Sequence, residues 1–207
     1  MEHLVKLHEH EYELSESIMF SSQKIRFFKS PILVATFVEF LNAISHQENC
    51  DSDSLINIVN YDVQLYYENE RWCSKLGEEN KPITLVTYRA AEEFASLHSL
   101  QIVSEELWRY LLKKERSYIN TLDSSILNIE ERYGGITAPN KKDRSSLGIE
   151  ELIGNISFWG YSLDDYFASC LGVGWNKSRY HLKYPFLKNR WKKIGSVSNG
   201  LRYCKVS

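Results

Sequence analysis

From residue 166 to its end at residue 207, the chain carries nine basic side chains (Lys177, Arg179, Lys183, Lys188, Arg190, Lys192, Lys193, Arg202 and Lys205) and no carboxylate. All 27 acidic residues and the other 16 basic ones precede it, so the formal net charge of −2 divides into −11 and +9. Such a segment cannot neutralise itself. It must present a solvated basic face, dock on the acidic part of its own chain, or meet a polyanion whose condensed counterions it displaces.

The rest of the composition sets the class. At 43% hydrophobic and 13% aromatic residues, the chain can bury one substantial core or two small ones and is not a disordered tail. Its longest apolar run, Pro31 to Val38, stops at Glu39, far short of a bilayer span. The opening MEHLVKLHEHEYELSES lacks the charged, apolar and small-residue regions of a secretory signal, which predicts a cytoplasmic protein. Cys50, Cys73, Cys170 and Cys204 form no CxxC pair, the pattern of reduced, mostly buried thiols.

The segment from Tyr133 to Ser146, with Gly134, Gly135 and Pro139 in a polar run, reads as a linker. It divides the chain into an acidic domain (1–133), a linker (134–146) and a basic domain (147–207). Two short apolar clusters between Ser17 and Phe28 suggest strands or an irregular hairpin. Ser30-Pro31 opens a helix with Phe37, Phe40, Leu41 and Ile44 on one face, and a second helix is expected from Asp53 or Ser54 to Leu76, ended by Gly77. Two more helices are expected near 87–98 and 104–120, the latter capped by Ser104. The stretch from Ala90 to Leu111 also loosely resembles a helix-turn-helix, against which stands ordinary packing of a helical hairpin.

Beyond the linker, Ile149, Leu152, Ile153 and Ile156 fall on one helical stripe. Ser162 and Asp165 offer a cap to a helix over 163–171, in which Ala168, Gly172 and Val173 form the A-x-x-x-G-V core of a helix-turn-helix. A basic helix follows from Asn176 to about Lys183, and Asn199-Gly200 signals a hairpin. In this order, residues 147–207 resemble a winged helix-turn-helix DNA-binding domain. The expected fold is therefore mainly α, with a helical N-terminal domain and a short β-hairpin wing. The resemblance implies a sequence-specific regulator of transcription or replication that binds double-stranded DNA as a homodimer. Arg179 would contact bases beside Asn176, Lys177 and Lys183, while Lys192, Lys193, Arg202 and Lys205 would hold phosphates on or near the wing, and Lys188 and Arg190 would also bind DNA. The acidic domain would mediate dimerisation or bind a protein partner. The alternative is a non-enzymatic subunit of a larger assembly whose basic part meets an acidic protein or RNA.

No converging catalytic set is visible, and neither an enzyme nor a cofactor is expected. His8-Glu9-His10 lacks a third ligand, and Glu79-Asn80-Lys81 lies between Gly77 and Pro82 instead of in an apolar strand. There is no phosphate-cradling glycine loop and no nucleophile elbow.

Overall fold

The computed structural model describes residues 13–45, 52–57, 63–122, 127–140, 144–178, 180–183 and 186–207. The first apolar clusters form a hairpin, β1 (Ile18–Phe20) and β2 (Gln23–Phe27), paired antiparallel around Ser21 and Ser22, both at positive φ. Two successive left-handed residues give the turn twist that matches two antiparallel strands. Helix α1 (Val34–Ser45) buries Val34, Phe37, Phe40, Leu41 and Ile44. It begins after Ser30-Pro31 because Ile32 is held in extended pairing, its amide on Leu201 at 3.0 Å and its carbonyl on the Ile83 amide at 2.9 Å.

The long helix expected over 53–76 is absent from the described part of that range. Ser52–Leu55 make a single 3-10 turn, and β3 (Leu65–Glu68) and β4 (Arg71–Ser74) form a second hairpin around Asn69 and Glu70 at positive φ. Tyr66 and Tyr67, expected on a helical stripe, lie in strand β3 instead, and Ile58 and Val59 lie outside the described residues. Leu65 and Trp72 are buried against α1, and Tyr66 and Tyr67 are exposed.

Helix α2 (Tyr88–Leu97) is capped by the Thr87 hydroxyl; α3 (Glu105–Lys114) is capped by Ser104, the cap that the sequence predicts. The short α4 (Arg116–Thr121) continues α3. Between α2 and α3 lies β5 (Gln101–Ile102), so the segment resembling a helix-turn-helix at 90–111 is two helices separated by a sheet strand.

The C-terminal third departs furthest from expectation. Residues 151–160 are all buried, and Glu151, Gly154 and Asn155 take positive φ, which interrupts any helix over 149–156. The segment is a buried loop whose apolar residues enter the core from an irregular backbone. It leads into β6 (Ser157–Trp159), followed by β7 (Phe167–Gly172), the four-residue helix α5 (Tyr180–Lys183), β8 (Phe186–Trp191), β9 (Asn199–Gly200) and β10 (Tyr203–Val206).

The strands assemble into sheets ordered β1-β2-β10-β5 and β8-β7-β6-β9, beside the separate β3-β4 pair. Thus the last strand of the chain lies between β2 and β5, and the pairing of β6 with β9 is parallel. One buried cluster packs α1 and α2 on the β3–β4 hairpin with Trp159 and Tyr203; another packs α3 on β2, β6 and β7.

The fold is mixed α/β, which corrects the mainly α expectation. It also removes the winged-helix pattern: Ala168 and Gly172 lie in strand β7 opposite β8 and β6, not in a helix and its turn. Asn199-Gly200 is itself a strand on β6 and not a hairpin tip. The apolar residues of 167–173 alternate with half-buried ones along much of the segment, and pairing on both sides makes that strand pattern decisive over the helical one.

Candidate recognition face and adjoining cleft

Where β7 begins and β8 ends, two irregular segments meet. The loop 161–166 enters β7, and residues 191–195 leave β8. Their contact is fixed by a hydrogen bond from the Lys192 amide to the Tyr166 carbonyl (2.8 Å) and by edge-on packing of Phe167 against Trp191, with ring centroids 6.0 Å apart. Asp164 shapes the loop, its Oδ1 accepting the Tyr166 amide at 2.8 Å and the Phe167 amide at 2.7 Å. Those two donors hold its carboxyl below the usual carboxylate range. The Ser162 hydroxyl closes the loop onto the Phe167 carbonyl at 2.6 Å.

The face so formed exposes large apolar side chains. Leu163 is 85% exposed, Tyr166 72% and Trp191 59%, and Tyr161 and Ile194 are half-exposed. Lys193 is exposed beside them, and Arg190 is half-buried opposite Ala168 on β7. The Lys192 ammonium lies 4.2 Å from the centre of the Tyr88 ring and donates to the Ser162 carbonyl at 3.4 Å, joining this face to the start of α2.

Behind Tyr88 and Tyr161 opens a cleft of about 530 Å³ between α2, β5, the start of α3 and the β1–β2 hairpin. Tyr88 is fixed on its wall: its hydroxyl accepts the Ser162 amide at 3.1 Å, and its ring packs edge-on against Trp159. Burial pushes the Tyr88 phenol upward from its ordinary value. The cleft also receives Glu92, whose carboxyl is raised chiefly by burial, against the opposing pull of Lys192.

The basic residues singled out in the sequence do not lie on one helix. Asn176 and Lys177 are half-buried in the turn after β7, and the Lys177 carbonyl accepts the Glu130 amide at 3.0 Å. Arg179 lies outside the described residues. Lys183 ends α5 and Lys188 lies within β8. Lys205 is exposed on β10, in the other sheet. Arg202 is 2% exposed and its guanidinium donates to main-chain carbonyls, so it is part of the core and not of a surface that touches a partner. Of the expected set, Arg190, Lys192 and Lys193 come together. Tyr88, Glu92 and Tyr161 were not among the candidates, because a helix stripe and a loop tyrosine carry no charge signal. The one trace of Tyr161 in the sequence is the density of aromatic and apolar residues from Phe158 to Phe167 amid hydroxyls and carboxylates.

No family model matches the chain, and no curated protein matches it by sequence. Its architecture is nevertheless shared. A crystal structure of CarF superposes with a TM-score of 0.60 at 12% identity, over 88% of this chain and 86% of that one. Treponema denticola variable protein 1 superposes with a TM-score of 0.54 at 9% identity, over 87% and 84%. Both likenesses are of fold.

Among the described residues, no helix is long and apolar enough to cross a membrane.

Proposed function

We propose that this is a non-enzymatic interaction protein of the cytoplasm, and that the face built from residues 161–167 and 190–194 docks an acidic protein partner. The observation that carries this reading is the joint exposure of Leu163, Tyr166, Trp191 and Ile194 around Lys192 and Lys193 on two segments pinned to each other. Aromatic side chains at the centre of a patch, with cations beside them, have the composition of protein-binding hot spots. The positive charge of the C-terminal segment favours a partner of opposite sign and would steer its approach.

Of the basic helix expected from Asn176 to Lys183, the described residues form only the four-residue α5, and Ala168 and Gly172 before it lie in a strand. A second reading, contact with nucleic acid through the same face, is favoured by the +9 charge of residues 166–207.

Photo-crosslinking separates the two. A crosslinking amino acid at position 163, in cells that express the full chain, should capture a protein with an acidic surface. A double charge reversal, Lys192→Glu with Lys193→Glu, should abolish capture while leaving the fold intact by circular dichroism. Equal capture from position 67, on the β3–β4 hairpin, would overturn the assignment of the face. Duplex or single-stranded DNA binding that strengthens at low salt and disappears in the charge-reversed variant would replace the protein partner with nucleic acid.

A further inference from the structure

We propose that the cleft between α2, β5 and Tyr161 is a binding site for a small organic cation, an amine with an apolar or aromatic body, and that Glu92 is its counter-ion. The cleft, at about 530 Å³, falls within the range of small-molecule sites. Its walls are mostly apolar, with Ile25, Ala95, Ile102 and Leu107 among them, and three aromatic rings, Phe20, Tyr88 and Tyr161, face into it. Glu92 is the one lining residue that is charged at neutral pH; the other polar groups are neutral amides and hydroxyls.

Glu92 has no hydrogen bond or ion pair among the described residues, whereas its neighbour Glu93 is paired with Arg89 at 3.7 Å. Lys192 lies close enough to act on Glu92 through its field. Its ammonium is nevertheless placed over the Tyr88 ring and on the Ser162 carbonyl, and it also acts on Asp164. Glu92 is thus exposed at the rim of the cleft, and no side chain or amide of the described residues donates to its carboxylate. An anion entering this cleft would meet Glu92 at close range, and a neutral ligand would dehydrate it without compensation. A primary ammonium supplies up to three donors to the carboxylate and is attracted to the faces of the aromatic rings. Tyr88 is already immobilised by its hydrogen bond to Ser162 and its packing on Trp159, so this wall needs no reordering on binding.

The test is a titration of the full chain, by calorimetry and by side-chain NMR, with three probes of one shape: 2-phenylethylammonium, 2-phenylethanol and phenylacetate. The ammonium should bind, with the alcohol about tenfold weaker or more and phenylacetate weaker still. In Glu92→Gln, a conservative change at an exposed helix position, the preference for ammonium over alcohol should vanish. In Tyr161→Ala, the ammonium should weaken by about fivefold, the size of a lost cation–π contact. Failure of all three probes to bind by about 10 mM would overturn the proposal, that concentration lying beyond millimolar affinity. So would equal binding of phenylacetate, or a Glu92→Gln variant that still prefers the ammonium. The site shares Tyr161 with the docking face but not Leu163, which does not line the cleft: Leu163→Ser should leave amine binding unchanged while weakening partner capture, so the two assignments fail separately.

Discussion

Arg202 donates through Nη2 to the main-chain carbonyl of Glu150 at 2.8 Å, and through Nη1 to the carbonyls of Phe28 and Lys29 at 3.1 and 2.9 Å. One guanidinium thereby ties the buried 150–156 loop to the end of the first hairpin. The Glu150 carboxylate is itself buried and takes donors from Arg144 and Ser30, so charge and main chain are satisfied together. Arg202→Met should destabilise the protein by about 3–5 kcal/mol in urea denaturation, since it strands several buried carbonyls at once. Arg202→Lys should recover only part of this, because one ammonium cannot span carbonyls that the planar fork reaches. A surface contact would instead tolerate either change without loss of stability.

Asn155 supports the same loop from inside. At a φ of +61°, it donates to the Thr137 carbonyl and to Glu151 Oε2, both at 2.8 Å, and accepts from the Thr137 amide and Asn128 Nδ2. Asn155→Ala should cost about 2–4 kcal/mol, read as a fall in the urea midpoint, because the variant strands buried partners and places alanine in a left-handed backbone. Asn155→Asp should also destabilise, since a carboxylate cannot donate to Thr137 or Glu151. A neutral result for both would mean that the loop is not held by this side chain.

The difference between what the sequence conveys and what it hides is visible in individual elements. The cap Ser104, the apolar face of α1 and the first hairpin are local signals, and the chain forms them where they are written. Phe167 to Val173 carries a local helix-turn-helix pattern that loses to a nonlocal one. Cys170 and Leu171 are paired with β8 on one side and β6 on the other, and no window of the sequence contains both partners. The charge division at residue 166 is real in the sequence but is scattered in space, since Lys205, Arg202 and Lys193 lie on the exposed face of the inner strand β10, in the core and on the recognition face respectively. The cleft was illegible for a related reason: Phe20, Tyr88 and Tyr161 converge only after β10 has brought β2 beside β5.

Gly200 follows from that topology. A methyl group there would collide with the Ile83 carbonyl, against which β9 is packed. Gly200→Ala should therefore lower stability by about 1–3 kcal/mol, the range of overpacked sites, and Gly200→Asn should be worse. At a hairpin turn, asparagine would be well accepted. Gly77 provides the contrast: it has a φ of +83° with open space around it, so Gly77→Asn should be nearly neutral. Thermal melts of the three variants order them, and a mild Gly200→Asn would restore the turn.

His98 sets an acid-sensitive term. It follows α2 with its ring 4.5 Å from Phe94 and 6.4 Å from Phe40, and its Nε2 is buried without a hydrogen-bond partner. Burial lowers its pKa to about 4 from an ordinary 6.5. Between those values the unfolded chain binds a proton that the folded chain refuses. This contribution is therefore constant above pH 6.5, and stability falls as pH drops from 6.5 toward 4. Glu92, whose carboxyl is raised in the fold, acts in the opposite sense, gaining stability as the acid range is entered. The depressed Asp164 loses its contribution only as the pH falls below 3.8, the ordinary value of an aspartate. His98→Leu removes the imidazole while keeping an apolar side chain between the rings. Its melting temperature should fall less steeply than that of the natural protein between pH 6.5 and about pH 4, the window bounded by the two histidine values. Parallel curves for the two proteins would show that His98 titrates alike folded and unfolded.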